Sequence, residues 1–342
     1  MIAAEELLKP VSEEAPCGTD LSEEASLQEL ESLARGKPET QFSAAEPPDW
    51  KEVQSRCSEF FNRSKDLRVV MILSVALLEL EGLPGFRESL ALLKGLLERY
   101  WTAVHPQLDP SDNNDPLQRM NIIASLATPV GTFGDPFRIL ERLRAAPLCD
   151  SVQMGRYGLA DIIRAEAGVQ SGGDKPTATM PQIEAAFRDS NPEQLGQIHR
   201  VLGDSVALVQ GIDEFITRTV GAANAPDLAP LSNELIAMQK RVAPYLPAGT
   251  VLADQVGGVL PSGIPAQTAV PVTGDIRSRA DVVKMLAKIC DYYAQAEPSS
   301  PVPLVLKRAA RLAEMDFLQI VKDLAPDALG QVRGVTGETE EG

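Results

Sequence analysis

Two stretches of this sequence come nearest to chemistry, one rich in oxygen donors and one rich in glycine. Asp109, Asp112, Asn113 and Asp115 crowd a short loop with side chains of the kind calcium takes. An EF-hand loop also needs alternating ligands around a central glycine and a distal bidentate glutamate, and that pattern is absent. Asp115-Pro116-Leu117-Gln118 reads instead as a helix start: an N-cap, a first-turn proline and a capping-box glutamine, ahead of Leu117, Met120, Ile123, Ala124 and Leu126. Farther on, Gly168, Gly173 and Lys175 nearly trace a phosphate-binding loop. Asp174 stands where lysine must follow glycine, Pro176 replaces the serine or threonine, and no apolar strand precedes. An acid at that point repels phosphate. The two histidines, His105 and His199, and the four cysteines, Cys17, Cys57, Cys149 and Cys290, have no paired spacing, and there is no dinucleotide turn or nucleophile elbow. Carboxylates abound, but they fall at helix caps and on solvated faces. The sequence predicts no catalytic residue, no metal ligand and no cofactor.

The elements around these stretches are helices. The 342 residues are 44% hydrophobic with only 5% aromatic residues, which fits a mostly helical protein of two or three domains. A formal net charge of −16 disfavours nucleic acid and anionic membranes, so the expected partners are proteins. Residues 1–9 carry Glu5 and Glu6 and have neither the basic nor the apolar region of a secretion signal. The longest apolar run, Val69 to Leu80, contains Ser74 and Glu79 and falls short of the roughly 20 residues of a membrane span. No membrane insertion is expected, and the scattered cysteines suit a reducing cytoplasm.

In chain order, Asp20 with Glu23 as capping-box partner should open a helix through Leu27, Leu30 and Leu33, closed by Gly36. Asp49 caps a second helix bearing Trp50, Val53, Cys57, Phe60 and Phe61 on one face. The run from Leu67 to Leu80 is apolar nearly all round and should be central. Gly82 to Gly85 turn the chain into a return helix with Phe86, Leu90, Leu93, Leu96, Leu97 and Tyr100. Asp135-Pro136 opens another helix, Gly155 to Ile162 reads as a short extended piece, and Ala167 to Ala178 as a linker or loop. Asn191-Pro192 starts a long helix whose seam of Leu195, Ile198, Leu202, Val206, Val209, Ile212 and Ile216 should pair with Leu228, Leu231, Leu235, Ile236, Met238 and Val242. His199 lies at the edge of that seam, as packing. Pro244 to Gly274 holds a single charge, Asp254, without helical periodicity, and reads as a tether.

After the tether, residues 277–329 carry more apolar surface than so small a unit can hide. Ser278 and Asp281 open a helix with Val282, Val283, Leu286, Ile289, Cys290 and Tyr293 in its stripe. Pro301 opens another with Val302, Val305, Leu306, Ala309, Leu312 and Ala313, and Asp316 with Gln319 caps a short third. Leu304, Leu318 and Val321 lie off the stripes, leaving two apolar surfaces, as a contact repeated between copies requires. Leu304, Val305, Leu312, Leu318 and Val321 are therefore the expected self-association residues. The fold expected is all-α: an N-terminal helical domain over 1–145, a middle helical region over 146–243, a flexible linker over 244–275, a small C-terminal oligomerisation domain over 276–329, and a disordered tail over 330–342.

Several ordered motifs also carry a family resemblance: Leu8-Lys9-Pro10-Val11-Ser12, Pro16-Cys17-Gly18-Thr19-Asp20-Leu21, Glu46-Pro47-Pro48-Asp49-Trp50, Arg63-Ser64-Lys65-Asp66-Leu67-Arg68, Leu80-Glu81-Gly82-Leu83-Pro84-Gly85, and Tyr100-Trp101 with His105-Pro106. Over roughly residues 5–145 the chain resembles the ImpA-type N-terminal domain of the TssA family. The segment Glu297 to Leu304 with Met315-Asp316-Phe317 is similar to the short C-terminal domain of one branch of that family. The resemblance implies a cytoplasmic scaffold of the bacterial type VI secretion system, without catalytic or cofactor residues. It further implies a homo-oligomeric ring built by the C-terminal domain, working with baseplate and tail tube or sheath proteins. The rival expectation is a generic helical adaptor that binds its partner as a monomer or dimer.

Overall fold

The computed structural model describes residues 3–22, 24–37, 44–108, 110–168, 178–247, 286, 289–290 and 302–314. The chain divides into two units, Met1–Val259 and Leu260–Gly342. In the first, the described residues form eleven helices and one small sheet: α1 (Ala4–Leu7), α2 (Ala25–Arg35), α3 (Trp50–Phe61), α4 (Leu67–Glu81), α5 (Leu83–Tyr100), α6 (Leu117–Ala124), α7 (Ile139–Ala145), α8 (Leu159–Glu166), α9 (Met180–Asp189), α10 (Pro192–Val220) and α11 (Ala229–Val242). Strands β1 (Pro147–Ser151) and β2 (Gly155–Gly158) pair antiparallel between α7 and α8.

Helix α4 is the axis of this unit, as its all-round apolarity predicts. Asp66 accepts from the Arg68 N–H at its start, Gly82 ends it, and every residue from Leu67 to Leu78 except Arg68 is buried. Its one polar interior residue, Ser74, donates to the Val70 carbonyl at 2.7 Å, so no donor is stranded. Helices α3, α5 and α6 pack around it, and α5 in turn carries α10 on its other side. The seam of α10 meets α11 as the alternation of threes and fours requires, with Leu202, Val209, Ile212 and Ile216 against Leu231, Leu235 and Met238, all buried. Trp101 meets Phe215 of α10 edge-on at 5.8 Å, so α10 shares a core with the helices before residue 145.

Local boundaries depart from expectation where loop geometry overrides a capping pattern. Asp49 does cap α3, accepting from the Lys51 and Glu52 N–H groups. Asp20 instead caps a turn, accepting from the Ser22 N–H at 2.9 Å, and α2 begins only at Ala25; Glu23 lies outside the described residues. Asp135 likewise accepts from Phe137, with α7 starting at Ile139. The extended piece ends at Gly158, where Asp161 accepts the Gly158 N–H and α8 takes over. Its partner β1 follows α7 directly, with the Asp150 N–H bonded to Ser190 and the Ser151 hydroxyl to Asp189. Past α11 the chain stays anchored through Tyr245, whose ring stacks on Phe187 at 4.7 Å. The rest of the expected tether, the glycine-rich segment at 169–177 and the tail at 330–342 lie outside the described residues.

In the second unit, the described part is α12 (Val302–Glu314) together with residues 286, 289 and 290. Cys290 is buried, and its thiol lies 3.8 Å from the Pro303 carbonyl, so the segment around residue 290 meets the start of α12. The expected third helix from Asp316 lies outside the described residues.

Candidate functional site

Three of the motifs, around Cys17, Lys65 and His105, converge on one buried joint. Three segments far apart in sequence pair through their backbones: the Lys65 N–H donates to Cys17 at 2.8 Å, the His105 N–H to Lys65 at 2.9 Å, and the Leu67 N–H to His105 at 2.9 Å. Gly18 bridges to Ser64 so closely that a Cβ at position 18 would sit 2.0 Å from the Arg63 carbonyl oxygen, and its φ of +70° suits glycine. Side chains lock the joint. Lys65 is 3% exposed and donates to the Phe61 carbonyl at 2.6 Å, ending α3. Arg68 grips Asp66 with two nitrogens and reaches Ser22 at 2.6 Å. Arg119, 1% exposed on α6, donates to the carbonyls of Pro106 at 2.7 Å, Val104 at 2.6 Å and Trp101, and stacks over the Trp101 ring. One planar guanidinium thus satisfies three carbonyls of the segment that follows α5.

Cys17, His105 and Asp20 meet here, the residue types of a cysteine hydrolase, but the electrostatics are those of a core. Burial pushes the Cys17 thiol up to about 11, against the opposing pull of Lys65 and Arg119, so at neutral pH it is a thiol and not the nucleophilic thiolate. Burial raises Cys57 and Cys149 as well. The His105 Nε2 lies 3.2 Å from the Gly18 carbonyl, while its Nδ1 is 3.8 Å from Asp20, beyond hydrogen-bond range. Burial also lowers Lys65, and Arg119 to about 10, which leaves the guanidinium charged at neutral pH. Lys65 and Arg119 are spent on backbone carbonyls and Arg68 on Asp66 and Ser22, while the Ser64 hydroxyl and the His105 Nδ1 are buried without a hydrogen-bond partner among the described residues. None of these roles was readable from spacing. Arg119 has no linear signal, because it sits on a helix beside Met120 like any solvated arginine.

At the acidic loop, Asp115 accepts from the Leu117 N–H at 3.0 Å and Asn113 and Asn114 adopt positive φ, so turn and cap geometry account for these residues. Among the described residues, no group of three His, Cys, Asp or Glu side chains is placed to hold a metal ion.

Of the expected self-association residues, Val305 is 68% exposed on α12, Leu312 is half-buried, and Leu304 lies in the same helix. Leu318 and Val321 lie outside the described residues. Val302 is exposed beside Val305, whereas Leu306 and Ala309 are half-buried and Lys307 and Arg311 face solvent. The helix thus keeps part of its apolar stripe in water within a single chain.

No described helix is long and apolar enough to cross a membrane. Residues 8–128 match the family described as ImpA, N-terminal, type VI secretion system. The chain is 36% identical to the type VI secretion system component TssA1 of Pseudomonas aeruginosa, over 98% of each protein. Its fold is similar to a solved N-terminal domain, including the conserved ImpA_N region, of the TssA component from Burkholderia cenocepacia. The TM-score is 0.59 and the identity 25%, covering 72% of this chain and 94% of that one. A likeness that runs the length of both proteins, together with the family match over residues 8–128, identifies the chain as a member of the TssA family of type VI secretion system components.

Proposed function

We propose that this protein is a non-catalytic, cytoplasmic scaffold that closes into a homo-oligomeric ring through residues 276–329. In this reading residues 1–145 and 146–243 form the ring's arms, residues 244–275 tether them, and the ring supports baseplate assembly and polymerisation of the tail tube and sheath. The observation that carries it is α12, which leaves Val302 and Val305 in water although its neighbouring faces are half-covered. Apolar surface of this kind is stabilised by about 25 cal/mol per Å² when a partner covers it, and identical neighbours around an axis cover both faces at once. A non-catalytic role is supported by the buried joint, where the groups capable of chemistry are held by backbone carbonyls and the thiol is pushed up.

Light scattering and negative-stain imaging of the full chain test this. Rings of one size are expected, and replacing both Leu304 and Leu318 with Asp should reduce them to smaller species while Lys307→Ala leaves them intact. Rings that survive the double substitution place assembly elsewhere in the chain. A wild-type protein that is only monomeric or dimeric returns the adaptor reading.

A further inference from the structure

We draw no further inference here: the strongest candidate, the apolar cavity that Trp50, Ile122 and Phe137 wall above Met71, Ile72 and Val75 of α4, carries nothing because nothing in the structure shows what covers it.

Discussion

Helices α4 and α12 both carry apolar residues that need covering, α4 nearly all round and α12 on one stripe beside Lys307, Arg308 and Arg311, and the chain serves them differently. From Leu67 to Leu78 α4 hides every side chain but Arg68, because α3, α5 and α6 surround it. In α12, Val305 remains 68% exposed and Val302 36%. An apolar helix is finished only by its neighbours. In the first unit the chain itself supplies them, and in the second the proposed ring does.

The contrast is sharpest where the same charge is placed on each helix. Leu73→Asp puts an unpaired carboxylate at a fully buried position and should destabilise the first unit by ~4 kcal/mol or more, enough to prevent folding; circular dichroism and denaturant unfolding measure it. Next in size, Arg119→Met preserves volume but strands the carbonyls of Trp101, Val104 and Pro106, at about 3 kcal/mol. Arg119→Lys should recover only part, since one ammonium cannot span a fork's three acceptors. If the methionine variant unfolds at the same denaturant concentration as the wild type, the joint does not hold the unit together.

A smaller effect follows from Cys17. Its folded pKa, about 11, lies above the ordinary thiol value of 9.0, so its contribution to stability is fully present below pH 9 and is lost as pH rises through 11. Cys57 pulls the same way. Denaturation midpoints of the first unit should therefore fall between pH 9 and 11, and Cys17→Ala should flatten that slope. A slope identical in the variant would assign the loss to other groups. Smallest in stability is Val305→Asp, expected within ~0.5 kcal/mol for the single chain because the site is exposed. Its consequence should appear only in scattering, as loss of assembly, and a variant that still assembles would separate α12's exposed stripe from the ring.

Periodicity and capping were legible because both are local. The spacing of apolar residues marked α4, α5, α10 and α11, and Asp49, Gly36 and Asn191 ended or began helices where their side chains and φ angles require. At Asp20 and Asp135 the carboxylate accepts the N–H two residues on, as the true caps Asp49 and Asn191 do. The helix begins only several residues later, so the capping pattern alone did not place the helix start. Strand β1 was illegible because Pro147–Ser151 has no alternation, and its hydrogen bonds go to β2 and to Ser190, forty residues away.

By itself, the sequence determined the helical class, the all-round burial of α4, the pairing of α10 with α11 and, through its ordered motifs, the likeness to the TssA family. These depend on side-chain type at fixed spacing along one segment. Only the tertiary structure decided that Cys17, Lys65 and His105 share one backbone-paired joint, that Arg119 is its buried clasp, and that α10 lies on α5. Each of these depends on which carbonyls are left unsatisfied after the helices form, and a carbonyl's need for a donor is met across space by whichever residue the fold delivers.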